Sequence, residues 1–273
     1  MSETYTLYNS TVMEHFMNPR NMGDLKDADG VGEVRRAARE QIRNGAHQIK
    51  VMAGGGVSSP TDPIDGTQYS LEELRAICEE AEAANTYVMA HAYSPRSIIR
   101  AVQSGVRSIE HGNLIDESAA REMARHDAFF VATLVTYDSL FREGASLGWP
   151  QAMLDKLDRV KDRGLESLRI AQAEGVQIGF GTDLLGPMHD DQSNEFLIRS
   201  KVMSPIEVLQ SATSVNARIL RREGQLGVLA RGAMADLIVV DGDPSRDLTL
   251  LTGNGARIAA VMKEGRFFRN RLG

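Results

Sequence analysis

The feature that most constrains this chain is a repeated alternation of short apolar runs with helical segments, which begins near residue 46. The apolar runs lie at His47–Ala53, Tyr87–Ala90, Ser108–Glu110, 129–135 and 176–181. Parallel strands need a crossover connection, and a helix is the usual one. The alternation therefore predicts five consecutive βα units around a parallel sheet.

Helix-start signals support this interpretation. A residue that can cap a helix follows four of the five runs, at Ser70, Ser94, Asp116 and Ser204. Two of these serines have glutamate three residues later, as in a capping box, and two precede a proline at the first helical position. Residues 151–173 also have helical periodicity, and 34–45 is predicted to be a helix that ends at Gly45.

The chain changes character after Arg221. Two glycine-bounded apolar runs, 235–241 and 258–270, show no helical period between them. They predict strands of a small, separate β layer.

Composition and charge exclude several classes of protein. The net charge of −6 gives no basic surface for nucleic acid. The single cysteine, Cys78, excludes an internal disulfide or a multi-cysteine metal site within one chain. No apolar stretch reaches about 18 residues and the first residues lack a signal-peptide pattern, so the sequence predicts a cytoplasmic protein with no membrane span.

Side chains that can bind a metal stand at several of the predicted strand ends, where parallel α/β barrels carry their chemistry. Lys50 lies in the first strand, His91 and His111 end the second and third, and Asp183 ends the fifth. Each also has a structural interpretation: a hydrogen-bonded histidine, a lysine reaching solvent, or an aspartate capping a helix. Their joint placement favours one shared site.

Three further residues are candidates for substrate binding. Tyr93 and Tyr137 stand beside the ligand strands, where a phenol can bind a substrate carboxylate or an oxyanion, or can pack at the barrel mouth. His189, on the loop after Asp183, either contacts substrate or faces solvent. The glycines at 54–56 lack the pattern of a nucleotide loop and are expected to let the backbone pass close to the site.

These residues resemble the amidohydrolase superfamily, in its branch of prolidase-like dipeptidases and N-acyl-amino-acid hydrolases. The similarity covers about Val34 to Asn270. The matching segments are IKVMAGGGVSSPTDPIDGTQYS, MAHAYSP, SIEHGNLID, TLVTYDSL, IGFGTDLLGPMH and GQLGVLARGAMADLIVVDGDP. The resemblance implies strands four to eight of a (β/α)₈ TIM barrel, followed by the C-terminal strands of a small β-sandwich.

The resemblance also implies a metal site and a reaction. The site holds one or two divalent metals, usually zinc, with Lys50 carboxylated as a bridge and His91 and His111 as ligands. Asp183 is a further ligand and the general base. A lysine must become a carbamate to bridge, because an ammonium group has no lone pair. The implied substrate is an N-acyl amino acid or an Xaa-Pro-type dipeptide.

The N-terminal part departs from this pattern. The family's first strand supplies a His-x-His pair, and no such pair occurs in the sequence. Residues 3–34 instead resemble the opening of an iron–sulfur scaffold protein of the NifU type and end before that family's first cluster cysteine. The predicted division is therefore a NifU-like segment at 1–34, a partial barrel at 35–225 and the β layer at 226–273.

Three interpretations of function follow. The first is an amidohydrolase that works with one metal or after assembly with another chain, since three protein ligands and water suffice for catalytic zinc. The second is an inactive, truncated or fused remnant of the family. The third is a protein related to the iron–sulfur scaffolds. Open barrel edges favour a homo-oligomer.

Overall fold

A five-stranded parallel sheet forms the centre of the molecule. The computed structural model describes residues 30–59, 61–146 and 148–272. The strands are β1 Ile49–Met52, β2 Val88–Ala92, β3 Ser108–His111, β4 Phe129–Val131 and β5 Gln177–Ile178. They pair in chain order, each parallel to the next. The predicted parallel α/β sheet is confirmed, and within the described residues β1 and β5 are its edge strands.

Helices connect and cover these strands. They are α1 Gly30–Arg43, α2 Leu71–Ala83, α3 Pro95–Gln103, α4 Glu117–Arg125, α5 Leu134–Glu143, α6 Gln151–Lys161, α7 Gly164–Ala173, α8 Asn194–Arg199, α9 Pro205–Gln210 and α10 Asn216–Ile219. The four predicted caps are confirmed, since each cap side chain accepts a hydrogen bond from a backbone amide of the helix that it starts.

Several predicted boundaries were wrong. The run 129–135 stops being a strand after Val131, and α5 begins at Leu134. Its β-branched and aromatic composition favours a strand, but Thr133 has a φ of 50°, which ends the extended conformation. The helical region 151–173 is two helices, and β5 is shorter than the run 176–181. The sequence after the Ser204 cap predicts one helix to about Arg221, and in the structure a π turn at Ser211–Val215 interrupts it.

The two faces of the sheet differ in chemistry. Ile49 and Val51 of β1 join the main hydrophobic cluster, together with apolar residues of the neighbouring strands and of the helices. Side chains alternate along a strand, so Lys50 and Met52 belong to the opposite face. Met52 pairs in register with His91, and His91 with Glu110. The sheet thus carries Lys50, His91 and Glu110 on the face away from the helices.

A second sheet follows, as predicted for the C-terminal region. Strands β6 Leu237–Val240, β7 Ile258–Lys263 and β8 Arg266–Asn270 form an antiparallel sheet in chain order. The run 258–270 is a hairpin, because Glu264 and Gly265 both have positive φ and reverse the chain in two residues. The domain boundaries remain predictions.

No helix within the described ranges is long and apolar enough to cross a membrane. The sequence also predicts an amphipathic helix around Tyr8–Met17, and this segment lies outside the described residues.

Candidate active site

Two buried histidines lie side by side at the carboxyl ends of β2 and β3. The ring centroids of His91 and His111 are 4.7 Å apart. Register alone aligns His111 with Ala92, on the face opposite His91. The φ of His111 is 76°, so the last residue of β3 leaves the extended conformation and breaks the alternation of side chains. This backbone conformation accompanies the close approach of the two rings.

One nitrogen of each ring is already held by a protein oxygen. His91 Nε2 lies 3.1 Å from the carbonyl oxygen of Gly55. His111 Nδ1 lies 2.8 Å from Thr133 Oγ1. A carbonyl can only accept, so the proton of neutral His91 is on Nε2 and its Nδ1 keeps a lone pair. If the Thr133 hydroxyl accepts a hydrogen bond from His111 Nδ1 in the same way, His111 Nε2 also keeps a lone pair. Such contacts orient histidines that bind metals.

Burial keeps both imidazoles uncharged at neutral pH. Burial first, and the charge of Lys50 to a smaller degree, lower the pKa of His91 to about 4. Burial, His91 and Lys50 together hold the pKa of His111 well below its ordinary value. A histidine must be neutral to bind a metal, so both rings have the required protonation state at neutral pH.

Asp183 faces the same cluster. Its Oδ2 lies 3.8 Å from His111 Nε2, and its side chain is about half exposed. Its φ is 49°, so it shares the left-handed conformation of His111 and Thr133. Such strained residues cluster at functional sites. Burial raises the pKa of Asp183, while the positive charge of Lys50 opposes this shift.

The donor set fits a zinc-type ion in its chemistry. Neutral imidazoles and a carboxylate are the nitrogen and oxygen ligands that zinc takes. Lys50 is exposed on β1, on the sheet face of His91, and its charge influences the pKa of His91, His111 and Asp183. Among the described residues, however, no three His, Cys, Asp or Glu side chains are gathered closely enough to hold a metal by themselves. A metal here would need a further ligand, and Lys50 is the candidate.

The two predicted tyrosines meet beside the histidines. Tyr137, on the first turns of α5, donates a hydrogen bond to Tyr93 across 2.9 Å. The Tyr93 ring packs edge-on against His91 with centroids 4.7 Å apart. Both phenols are buried, and burial raises the pKa of each. They are therefore neutral hydrogen-bonding groups next to the site.

The hydrogen bond of His189 is made within its own loop and not with this cluster. Its Nδ1 is 2.7 Å from the carbonyl oxygen of Gly186, within its own 3-10 turn, and its side chain is exposed. The structure does not bring it against the histidines. A role in substrate binding remains a prediction.

Comparison with known proteins identifies the family. The sequence matches the Amidohydrolase family over residues 6–267. The chain belongs to the amidohydrolase family. The match begins ahead of Val34, so it covers nearly the whole chain.

Three relatives show the range of this amidohydrolase's neighbours. It is 34% identical to ochratoxinase of Aspergillus niger over 258 residues, 93% of this chain and 53% of the relative. A prolidase complexed with N-methylphosphonate-L-proline is 56% identical, with a TM-score of 0.87 over 89% of this chain and 59% of the prolidase. A Xaa-Pro dipeptidase with bound methionine is 29% identical, with a TM-score of 0.83 over 93% of this chain and 64% of the dipeptidase. The amidohydrolase chain spans about half the length of the curated relatives it matches.

The resemblance to an iron–sulfur scaffold is confined to a short stretch. The iron–sulfur cluster assembly scaffold protein of Archaeoglobus fulgidus is 57% identical over 28 residues, which is 10% of this chain and 18% of that protein. So short a match carries no function for the amidohydrolase.

Three contributors to the site were missed by sequence reasoning. Glu110 is buried beside His111, accepts a hydrogen bond from Ser108 at 2.7 Å, and has its pKa raised to about 7 by burial. A glutamate inside an apolar strand run is a signal that could have revealed it. Thr133 and the Gly55 carbonyl carry no such signal, because the Thr133 hydroxyl reaches His111 only through a left-handed backbone conformation and Gly55 contributes a main-chain atom.

Proposed function

We propose that the chain is a metal-dependent hydrolase of C–N bonds in amides or peptides. The observation that carries the proposal is the His91–His111 pair, with neutral rings 4.7 Å apart and Asp183 3.8 Å from the second ring. Two oriented imidazoles and a carboxylate at the ends of parallel strands have the chemistry of a catalytic metal site. The relatives named above support hydrolysis as the reaction class.

The proposed ligands are Lys50 as a carbamate, His91 through Nδ1, His111 through Nε2, and Asp183. Carbamate formation joins the uncharged lysine amine to CO₂ and releases a proton. A divalent metal, zinc in this proposal and present as one or two ions, acidifies water and polarises a carbonyl group when bound. Asp183 is the base that takes a proton from the attacking water and returns it to the leaving amine.

The substrate class follows from the tyrosines and the relatives. The linked phenols of Tyr93 and Tyr137 are hydrogen-bond donors that would bind a substrate carboxylate or the developing oxyanion. The relatives include a prolidase with a bound proline analogue and a Xaa-Pro dipeptidase. We therefore propose N-acyl amino acids or Xaa-Pro-type dipeptides, with His189 as a further contact to substrate.

The test is zinc content per chain, measured with and without bicarbonate. Wild-type protein is expected to bind zinc, more with bicarbonate, and Lys50→Ala or His91→Ala is expected to lose it. His126→Ala serves as the matched control, because His126 is an exposed histidine paired with Glu122 on the surface of α4. Folded wild-type protein without zinc would overturn the metal-dependent proposal. Zinc-loaded protein would then be screened with dipeptides and N-acyl amino acids.

An inactive family member is the second candidate. It is favoured by the lack of a closed cluster of three metal-binding side chains in the described residues and by the missing His-x-His pair in the sequence. It predicts folded protein that neither binds zinc nor hydrolyses any member of the screen.

We also propose that the five-stranded sheet corresponds to strands four to eight of the family barrel. We further propose that the protein works in the cytoplasm and that its sheet edges favour a homo-oligomer.

A further inference from the structure

A fully buried ion pair lies behind the candidate site. Arg199 and Glu195 stand four residues apart on α8, and both side chains are 0% exposed. Arg199 Nε donates to Glu195 Oε1 at 2.6 Å. Burying two charges costs more than burying apolar side chains of similar size, so such a pair is weak grounds for stability. Its other contacts indicate a different purpose.

The second oxygen of Glu195 caps a helix that is not its own. Glu195 Oε2 accepts a hydrogen bond from the backbone N–H of Val135 at 2.7 Å, in the first turn of α5. Thr133 occupies the cap position of α5, but its side chain makes no capping hydrogen bond. The Thr133 hydroxyl is instead beside His111 Nδ1. Glu195 therefore supplies the cap that Thr133 leaves open.

This first turn of α5 contacts two of the proposed ligands. Thr133 reaches His111, and the Thr136 hydroxyl donates to the carbonyl oxygen of Asp183 at 3.0 Å. A shift of the turn would move both contacts together.

Arg199 fixes the other side of the same arrangement. Its Nη1 donates to the carbonyl oxygen of Gly179 at 2.6 Å, on the segment that leads from β5 to Asp183. Its guanidinium carbon lies 4.8 Å from the centre of the Phe180 ring. The pair thus connects the segment carrying Asp183 to the turn carrying Thr133. A planar guanidinium suits this task because it donates in two fixed directions.

We infer that Glu195 and Arg199 are positioning residues, which hold the first turn of α5 and the segment after β5 so that His111 and Asp183 face one another. The inference rests on the proposed metal site for its functional meaning. Neither residue touches the ligand atoms, so the effect passes through Thr133 and Gly179.

The test is a double-mutant cycle in zinc affinity, measured by competition with a chelator. One arm is Glu195→Gln with Arg199→Gln, which removes both charges together and leaves neither unpaired. The other arm is Thr133→Val, which keeps the shape and removes the hydroxyl. Each is expected to weaken zinc binding about 10- to 100-fold, as loss of an outer contact to a ligand does. The combination is expected to weaken zinc binding by clearly less than the product of the two separate effects, because both arms disturb the Thr133–His111 contact.

The matched control removes an ion pair elsewhere. Arg39→Gln with Glu80→Gln breaks the pair that joins α1 to α2, and it is expected to leave zinc affinity unchanged. Wild-type affinity in the Glu195/Arg199 variant, or effects of the two arms that multiply, would overturn the inference.

Two further measurements keep the test decisive. If the double variant does not fold, Arg199→Lys keeps the charge but loses the fork that serves Glu195 and Gly179. Arg199→Lys is then expected to weaken zinc binding, and unchanged affinity contradicts the inference. If wild-type protein binds no zinc, the proposed function fails, and ¹⁵N resonances of His111 read the positioning alone. These resonances are expected to shift in the Glu195/Arg199 variant and to stay unchanged in the Arg39/Glu80 control. Unshifted resonances in the Glu195/Arg199 variant would overturn the inference.

Discussion

Thr133 Oγ1 lies 2.8 Å from Nδ1 of His111, and the two residues share a left-handed backbone conformation, with φ of 50° and 76°. A β-branched residue in this conformation is strained, and the strain persists only where surrounding contacts impose it. Here the conformation turns the hydroxyl away from capping α5 and towards the histidine. The contact gives His111 a fixed ring orientation.

Removing this hydroxyl is expected to loosen His111. Thr133→Val leaves a buried imidazole nitrogen without its partner, which costs about 1–3 kcal/mol in the free energy of unfolding. Thr133→Ser keeps the hydroxyl and lacks the β-branch, so it is expected to match wild-type protein. Urea unfolding of the zinc-free proteins measures the difference. Equal stabilities of the Val and Ser variants would contradict the role of the hydroxyl.

Gly55 is expected to tolerate no side chain. A Cβ atom there would lie 1.9 Å from the carbonyl oxygen of Pro63, which is backbone and cannot rotate away, and the Gly55 carbonyl orients His91. Gly55→Ala is therefore expected to cost at least about 1–3 kcal/mol of stability through overpacking.

Gly32→Ala is the control for this substitution. Gly32 lies in α1, and no atom of the described residues lies within 4 Å of the added Cβ. Alanine there is expected to stabilise the protein by about 0.5–1 kcal/mol, because glycine loses more entropy in a helix. Denaturant unfolding of both variants checks the pair, and a stable Gly55→Ala protein would show that the loop can move.

The sequence was sufficient for the elements whose signals are local. Caps at Ser70 and Ser204, and the apolar runs that became β1 to β3, depend on neighbouring residues alone. The start of α5 could not be predicted, because the composition of FFVATLV favours a strand and tertiary contacts decide otherwise. Tyr137 therefore lies on a helix and not in a loop after a strand.

The candidate site likewise contains residues that the sequence predicts and contacts that it does not. Strand ends indicated His91, His111 and Asp183, and the structure brings His91 against His111 and His111 near Asp183. The contacts that orient them come from positions distant in sequence, such as Glu195, whose role depends on the backbone of Val135. No local pattern encodes such a pairing.

The thiol of Cys78 is expected to react slowly with disulfide reagents in the folded protein. Burial first, and then the negative charges of Glu79 and Glu82, raise the pKa of its thiol to about 12. The thiolate is the reactive form, so reaction with a disulfide reagent at pH 8 is expected to be roughly a thousandfold slower than for an unperturbed cysteine. Reaction after denaturation gives the reference rate. Equal rates before and after denaturation would show that α2 does not protect the thiol.

The ion pair between α1 and α2 is expected to make the free energy of unfolding depend on pH in the acidic range. Hydrogen bonds from Arg39 and then Arg35 hold the pKa of the Glu80 carboxyl below its ordinary value. A carboxyl whose pKa is lower in the folded than in the unfolded protein binds fewer protons when folded. Its contribution is therefore complete above the unfolded pKa, near 4.3, and is lost as pH falls through the lowered folded pKa.

Glu80→Gln is expected to remove this dependence. The free energy of unfolding of the variant should fall below that of wild-type protein at pH 7, and the gap should narrow as the pH approaches 3. Glu82→Gln, an exposed position on the same helix, controls for the loss of one negative charge and is expected to leave the gap near zero throughout. Unfolding titrations at several pH values measure both. A gap that stays constant from pH 7 to 3 would mean that Glu80 stabilises α2 against α1 by packing and not through its charge.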